Sequence, residues 1–233
     1  MSYGLTVTSS LGTIQVDETH IGVRLIQSGT LTPTSDNIVQ ISLPQAFASP
    51  PLVLIRPSAF GRYVGAQYYI GPVSGFSTVD TLQFLGRNNQ SFEYAIFAIE
   101  RTPVDDGSTH GLRVWNGSGA LTFSSSHTRA RITHLYNLTT FPECVSSPAS
   151  YSLSGYSTMP WIVANSLYGY VSSGEESYVY KGFVVGFDSY STMRLSYGSY
   201  DSGYWPRLGC GGSQAARAPY PFQIALAKIN EGA

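Results

Sequence analysis

One stretch of this chain occurs twice. Residues 4–25 contain Gly4-Leu5-Thr6-Val7, then Gly12, Ile14, Val16, His20, Val23, Arg24 and Leu25. Residues 111–132 contain Gly111-Leu112-Arg113-Val114, then Gly119, Leu121, Phe123, His127, Ala130, Arg131 and Ile132. The two runs align without a gap at an offset of 107, with six of 22 positions identical. A period that long is the length of a domain, so it predicts tandem duplication and not a solenoid of short repeats.

Both runs predict a hairpin. Leu5 and Val7 alternate with Thr6 and Thr8, and Leu112 and Val114 alternate with Arg113 and Trp115. The returning segments carry Ile14/Val16 and Leu121/Phe123 on one face. A period of two puts one face on a core and the other in water. The connections are Ser9-Ser10-Leu11-Gly12 and Asn116-Gly117-Ser118-Gly119. Asn-Gly favours a tight turn because both residues tolerate positive φ.

The likeness continues more loosely. Pro51-Leu52-Val53-Leu54-Ile55 parallels Pro160-Trp161-Ile162-Val163-Ala164. Ser77-Thr78-Val79 with Leu82 and Phe84 parallels Ser191-Thr192-Met193 with Leu195 and Tyr197. Phe92 to Ile99 parallels Phe222 to Ile229, now at an offset of 130, so the second copy has gained about 23 residues between 165 and 220. Short β-favouring runs between Gly, Pro, Ser and Asn dominate, and helical periodicity is absent. The expected class is all-β: two tandem related β-sandwich domains, 1–101 and 110–233, joined by a linker at 102–109, the second domain carrying a Tyr/Gly-rich insertion.

Composition narrows the function. Charged residues are 12% of the 233, with net charge −1 and only two lysines, Lys181 and Lys228. That is half the usual ~25%. Residues 1–106 are net −3 and residues 107–233 net +2. Neither imbalance draws nucleic acid or an anionic membrane. A surface of Ser, Thr, Asn, Gly and Tyr suits a protein buried in an assembly better than a free monomer. Cys144 and Cys210 make no disulfide scaffold and read as free thiols. No leader and no apolar run of membrane-spanning length is expected, so synthesis in a cytoplasm is.

Catalytic patterns are weak. His20 and His127 are repeat-equivalent, which suits a paired binding position or, more plainly, strand-end polar bonding. Gly155-Tyr156-Ser157-Thr158-Met159 begins like a nucleophile elbow but lacks the closing glycine. Gly209-Cys210-Gly211-Gly212 lacks the Lys-Ser/Thr of a phosphate loop. Asp105-Asp106 and Glu175-Glu176 are adjacent, and neighbours on a strand point to opposite faces, which is wrong for an acid/base pair. No catalytic residue, metal ligand or cofactor is expected. The sequons at Asn89, Asn116 and Asn137 have no secretory context.

Aromatic content carries more. Tyr168, Tyr170, Tyr178, Tyr180, Tyr190, Tyr197, Tyr200 and Tyr204 precede Trp205 within a few tens of residues. Tyrosine among Ser and Gly is the chemistry of adaptable recognition surfaces. Tyr168, Tyr170, Tyr178, Tyr180, Tyr200, Tyr204 and Trp205 are therefore the candidate ligand- or partner-binding residues. The competing reading is tyrosine as a strand former and packing residue.

Gly111-Leu112-Arg113-Val114-Trp115-Asn116-Gly117-Ser118-Gly119-Ala120-Leu121-Thr122-Phe123 resembles a motif of minor tail proteins of siphophages. That motif reads roughly Gly-Leu-x-Val-x-Asn-x-x-Gly-x-Leu-x-Phe, often followed by Asp-Ser. Here Ser124-Ser125 replaces the acidic residue. Gly4 to Val16 is a degenerate version. The segment Leu43-Pro44-Gln45-Ala46-Phe47-Ala48-Ser49-Pro50-Pro51-Leu52-Val53 resembles a strand entry of tail-fibre domains. The resemblance covers about a quarter of the chain. It implies a virion structural protein of a bacteriophage tail tip or baseplate, a homo-oligomer with a trimer favoured, contacts with other tail proteins, and no catalytic residues. The alternative is a receptor-binding module that uses the Tyr-rich second domain on a host glycan or pilus.

Overall fold

The computed structural model describes residues 4–9, 12–17, 23–34, 38–47, 51–67, 79–86, 89–98, 112–115, 117–119, 121–125, 127–138, 149–164, 167, 169–173, 178–201, 204–207 and 222–230. The linker at 102–109 and both cysteines lie outside them. The elements are β1 (Gly4–Ser9), β2 (Gly12–Asp17), β3 (Arg24–Leu31), β4 (Ile38–Phe47), β5 (Leu52–Pro57), β6 (Tyr63–Gln67), β7 (Val79–Gly86), β8 (Phe92–Ala98) and β9 (Arg113–Trp115). They continue with β10 (Leu121–Ser124), β11 (Arg129–Leu138), β12 (Ala149–Ser152), β13 (Trp161–Val163), β14 (Gly169–Ser173), β15 (Tyr178–Ser189), β16 (Thr192–Asp201), β17 (Tyr204–Arg207) and β18 (Phe222–Asn230). No α-helix occurs among the described residues, as the all-β expectation requires.

Two compact units form. One comprises Met1–Ile26, Phe97–Arg131 and Ile229–Ala233; the other comprises Gln27–Ile96 and Ile132–Lys228.

The first unit holds both repeated hairpins. β1 pairs antiparallel with β2, Leu5 opposite Val16 and Val7 opposite Ile14. β9 pairs antiparallel with β10, but here Val114 faces Phe123 and Trp115 faces Leu121. The expectation of one register in both copies is thus corrected at this hairpin. Relative to the first hairpin the pairing is displaced by one residue at Trp115 and by two at Val114, the change falling at an irregularity between Leu121 and Phe123, and an apolar side chain stays opposite Val114. The left-handed residue of the connection is Gly119, at φ +81°, and not Gly117 of the Asn-Gly pair on which the expectation rested. At the hairpin base Leu112 N–H donates to Ser125 Oγ at 2.9 Å, and Ser125 N–H donates to Leu112 O at 2.9 Å.

The second unit carries two larger sheets. One runs β11-β18-β13-β5-β8-β3; the other runs β12-β16-β15-β6-β7-β4, with β14 on β15 and β17 on β16. Read outward from the middle, the first sheet gives β13, β18, β11 on one side and β5, β8, β3 on the other. The sequence alignment matches these same strands, β13 with β5, β18 with β8 and β11 with β3. The second sheet gives β15, β16, β12 against β6, β7, β4, with β16 matching β7. At the middle of the first sheet Leu54 lies opposite Val163, the residue it aligns with. At the middle of the second, Val64 lies opposite Val185. Antiparallel pairing of matched residues is the register a two-fold axis normal to a sheet produces.

Two separate sandwiches are therefore not what forms in this unit. Residues 1–101 and 110–233 each supply three strands to the main path of each sheet. The physical reason is edge chemistry. A half on its own would leave β5 and β6 with a row of unpaired amides and carbonyls, and the cross-pairs β5–β13 and β6–β15 satisfy both rows.

The two sheets meet over a shared core. Phe84 of β7 lies 5.6 Å from Phe92 and 5.8 Å from Tyr94 of β8, ring centre to ring centre. Val64, Leu82, Val185, Phe187, Met193 and Leu195 are buried from one sheet, and Ile55, Ile96, Ile162 and Leu226 from the other. Each such side chain contributes about 1.5–3 kcal/mol of burial. Successive residues Val53, Leu54 and Ile55 are all buried, as are Ile224 through Ala227. The centre of the six-stranded sheet is thus covered on both faces, which is why these strands read as continuous apolar runs and do not alternate. Pro44, which cannot donate to a ladder, falls in β4 at the end of its sheet.

Candidate interaction surface

β11 ends the six-stranded sheet among the described strands. It is 10 residues long. Within the second unit, three side chains brace it. Thr133 Oγ1 lies 3.2 Å from Leu226 O and 2.6 Å from Tyr156 Oη, and His134 Nδ1 lies 2.6 Å from the same Tyr156 Oη. Thr133 can donate to Leu226 O, either hydroxyl can donate in the Thr133–Tyr156 bond, and the role of His134 Nδ1 follows its tautomer. Such a chain polarises each of its bonds.

The brace extends outward. Lys228 Nζ donates to Gly155 O at 3.2 Å and sits 5.1 Å from the Tyr156 ring centre. His134 stacks against Tyr136 at 6.1 Å, and Tyr136 meets Tyr151 at 6.4 Å. Burial pushes the Tyr156 hydroxyl above its ordinary range, with the Thr133 bond opposing. Burial also raises Tyr151, and it raises Tyr136 with a smaller contribution from Tyr156.

On this braced strand two apolar side chains face water: Ile132 is 51% exposed and Leu135 60%. A long edge strand with exposed apolar residues is a template for another strand or subunit. The matched strand β3 at the other end of the sheet exposes Ser28, Gly29 and Thr30 instead.

The Tyr-rich candidates are placed by register. Tyr168 lies outside the described residues. Tyr180 of β15 is opposite Tyr200 of β16, and Tyr178 is two positions along the same row. Tyr170 pairs with Lys181, in the alternate row. Tyr204 pairs with Asp201, and Trp205 follows it in β17. Tyr178, Tyr180 and Tyr200 therefore share one register row, and Tyr170 does not join them.

A second aromatic group stands at the β5–β6 and β15–β16 turns. Phe60 and Tyr190 meet edge to face with ring centres 4.9 Å apart. Beside them Gly61 N–H of the first turn donates to Phe187 O of β15 at 2.8 Å. Nearby, Arg194 Nε lies 2.5 Å from Asp188 Oδ2, and the carboxylate holds the guanidinium above its usual range, with a lesser contribution from Tyr63. The Tyr63 ring rests against Gly186 of β15, where an added Cβ would come within 2.8 Å of it and 2.5 Å of Arg62 O.

Of the weak catalytic patterns, Gly155-Tyr156-Ser157-Thr158-Met159 is an irregular segment with no helix after it, and its tyrosine belongs to the β11 brace. Arg56, ion-paired with Glu93 and 4.4 Å from the Trp161 ring centre, clips β5, β8 and β13 together. His20, His110, Asp105, Asp106, Glu175, Glu176 and Gly209–Gly212 lie outside the described residues. Among the described residues no helix is long and apolar enough to cross a membrane. Sequence reasoning missed His134, Tyr156 and the Phe60–Tyr190 pair. The signal for β11 was present: Arg129 to Leu138 carries apolar residues at both parities, which is unexpected of a strand with one wet face. The chain matches no family model, no curated protein and no solved structure.

Proposed function

We propose that this chain is a non-enzymatic structural protein of a bacteriophage tail tip or baseplate, built from two related halves and assembling with other tail proteins. The observation that carries the assembly reading is the β11 edge, held rigid by the Thr133–Tyr156–His134 chain while Ile132 and Leu135 remain in water. Low charge and a hydroxyl-rich surface support burial in a particle. The resemblance at residues 111–123 supplies the tail context and the trimer. The mirrored strand order supports duplication, with the halves fused edge to edge as two subunits of a dimer would be. The doubly charged variant Ile132→Lys/Leu135→Lys is expected to fold but to fail to co-purify with tail particles. Its retention at normal occupancy would remove the assembly reading.

A second reading, receptor binding by the tyrosines of the second half, draws support from the Tyr180–Tyr200 pairing in one register row with Tyr178. Tyr180→Ala should then leave particles intact and abolish adsorption to host cells; unchanged adsorption counts against it.

A further inference from the structure

We propose that the β5–β6 and β15–β16 turns form a saccharide-binding site centred on Phe60 and Tyr190. The site stands apart from the tail assignment, because the isolated chain contains all of it.

Phe60 is 41% and Tyr190 46% exposed, on the tips of two turns that have no core to reach. Their edge-to-face contact holds each ring against the other before any ligand arrives, and the Gly61–Phe187 bond anchors the backbone next to Phe60. Pre-fixed rings lose little entropy on binding, and their exposed faces accept the C–H face of a sugar ring.

Ser58, Ser189 and Ser191 flank the two aromatic residues along the chain. Arg62 Nη1 donates to Ser58 Oγ at 3.1 Å, and Ser58 Oγ in turn donates to Ser91 O at 2.6 Å. Ser189 Oγ and Ser191 Oγ lie 3.0 Å apart on either side of Tyr190. The Asp188–Arg194 pair, with side chains 35% and 40% exposed, adds a carboxylate two residues before Tyr190 on β15 and a guanidinium four residues after it on β16. A sugar needs this combination: an apolar platform with donors and acceptors around its rim. A nucleic-acid strand would need a basic groove, whereas here one of the two guanidiniums, Arg194, is paired with Asp188 and only Arg62 has no carboxylate beside it in the cluster described. A protein partner would favour a wider apolar patch than two rings set among serines.

The test uses the purified full chain on an array of neutral and acidic oligosaccharides, with titration calorimetry on those captured. Wild type should bind at least one saccharide, with competition by the free sugar. Phe60→Ala and Tyr190→Ala should each weaken that binding by about tenfold or more, with thermal midpoints unchanged. Tyr190→Phe should retain it, because the ring face remains. No capture of any saccharide at millimolar concentration overturns the proposal, and so does binding that survives Phe60→Ala/Tyr190→Ala together. Capture of acidic chains alone would place Arg62 at the centre of recognition, and Arg62→Ala must then abolish it.

Discussion

Tyr156 joins three separate parts of the sequence through one oxygen: β11, the irregular segment before β13, and, by way of Thr133, β18. Tyr156→Phe keeps the ring and removes that oxygen. Thr133 Oγ1 and His134 Nδ1 then each lose a hydrogen-bond partner. The expected cost is about 1–3 kcal/mol, read as a lower urea midpoint with unchanged slope. A pH effect follows from the same group. Tyr136, Tyr151 and Tyr156 all hold their protons more tightly in the native state than the ordinary value of 10.0. Above about pH 10 the unfolded chain therefore releases phenol protons first, and the stability present below that pH is lost as it rises through the native values. Urea midpoints from about pH 8 to 11 should fall at the alkaline end, and Tyr156→Phe should flatten the fall. A midpoint independent of pH in that range would contradict the buried-phenol account.

At the scale of elements, the junction of β6 with β15 depends on Gly186. A side chain there meets the Arg62 carbonyl and the Tyr63 ring, and the carbonyl cannot move without shifting β6. Gly186→Val should destabilise the fold by about 3 kcal/mol or prevent it. Gly117→Ala, where an added Cβ meets nothing within 4 Å, should stay within about 0.5 kcal/mol of wild type. Equal effects at both positions, measured by thermal unfolding, would mean that the close approach does not matter. On β11 the Lys variants that block co-purification should leave the urea midpoint nearly unchanged, because Ile132 and Leu135 contribute little buried area. A large loss of stability would assign them to packing and not to partner binding.

For the molecule as a whole, the shared sheets couple the two halves of the second unit. β5 and β13 are adjacent in one sheet, β6 and β15 in the other. Neither half can open without exposing Leu54, Val163, Val64 and Val185, all buried. This unit should unfold in a single step, with Trp161 fluorescence and far-ultraviolet dichroism superimposing on one denaturant curve. Two separated transitions assigned to residues 27–96 and 132–228 would restore the picture of independent tandem sandwiches.

Local pattern was enough for the strand class and the hairpins at 4–17 and 113–124, because turn chemistry and side-chain alternation act over a few residues. Internal likeness could not say that matched strands would pair with each other. Edge pairing is settled by which amides find acceptors across long separations, and one sequence segment carries the same donors whichever neighbour it meets. The tyrosine clustering around residue 180 was visible in composition, whereas the His134–Tyr156–Thr133 chain and the Phe60–Tyr190 contact were not. Those groups join residues tens to more than a hundred positions apart, and only the folded backbone brings such side chains within bonding distance.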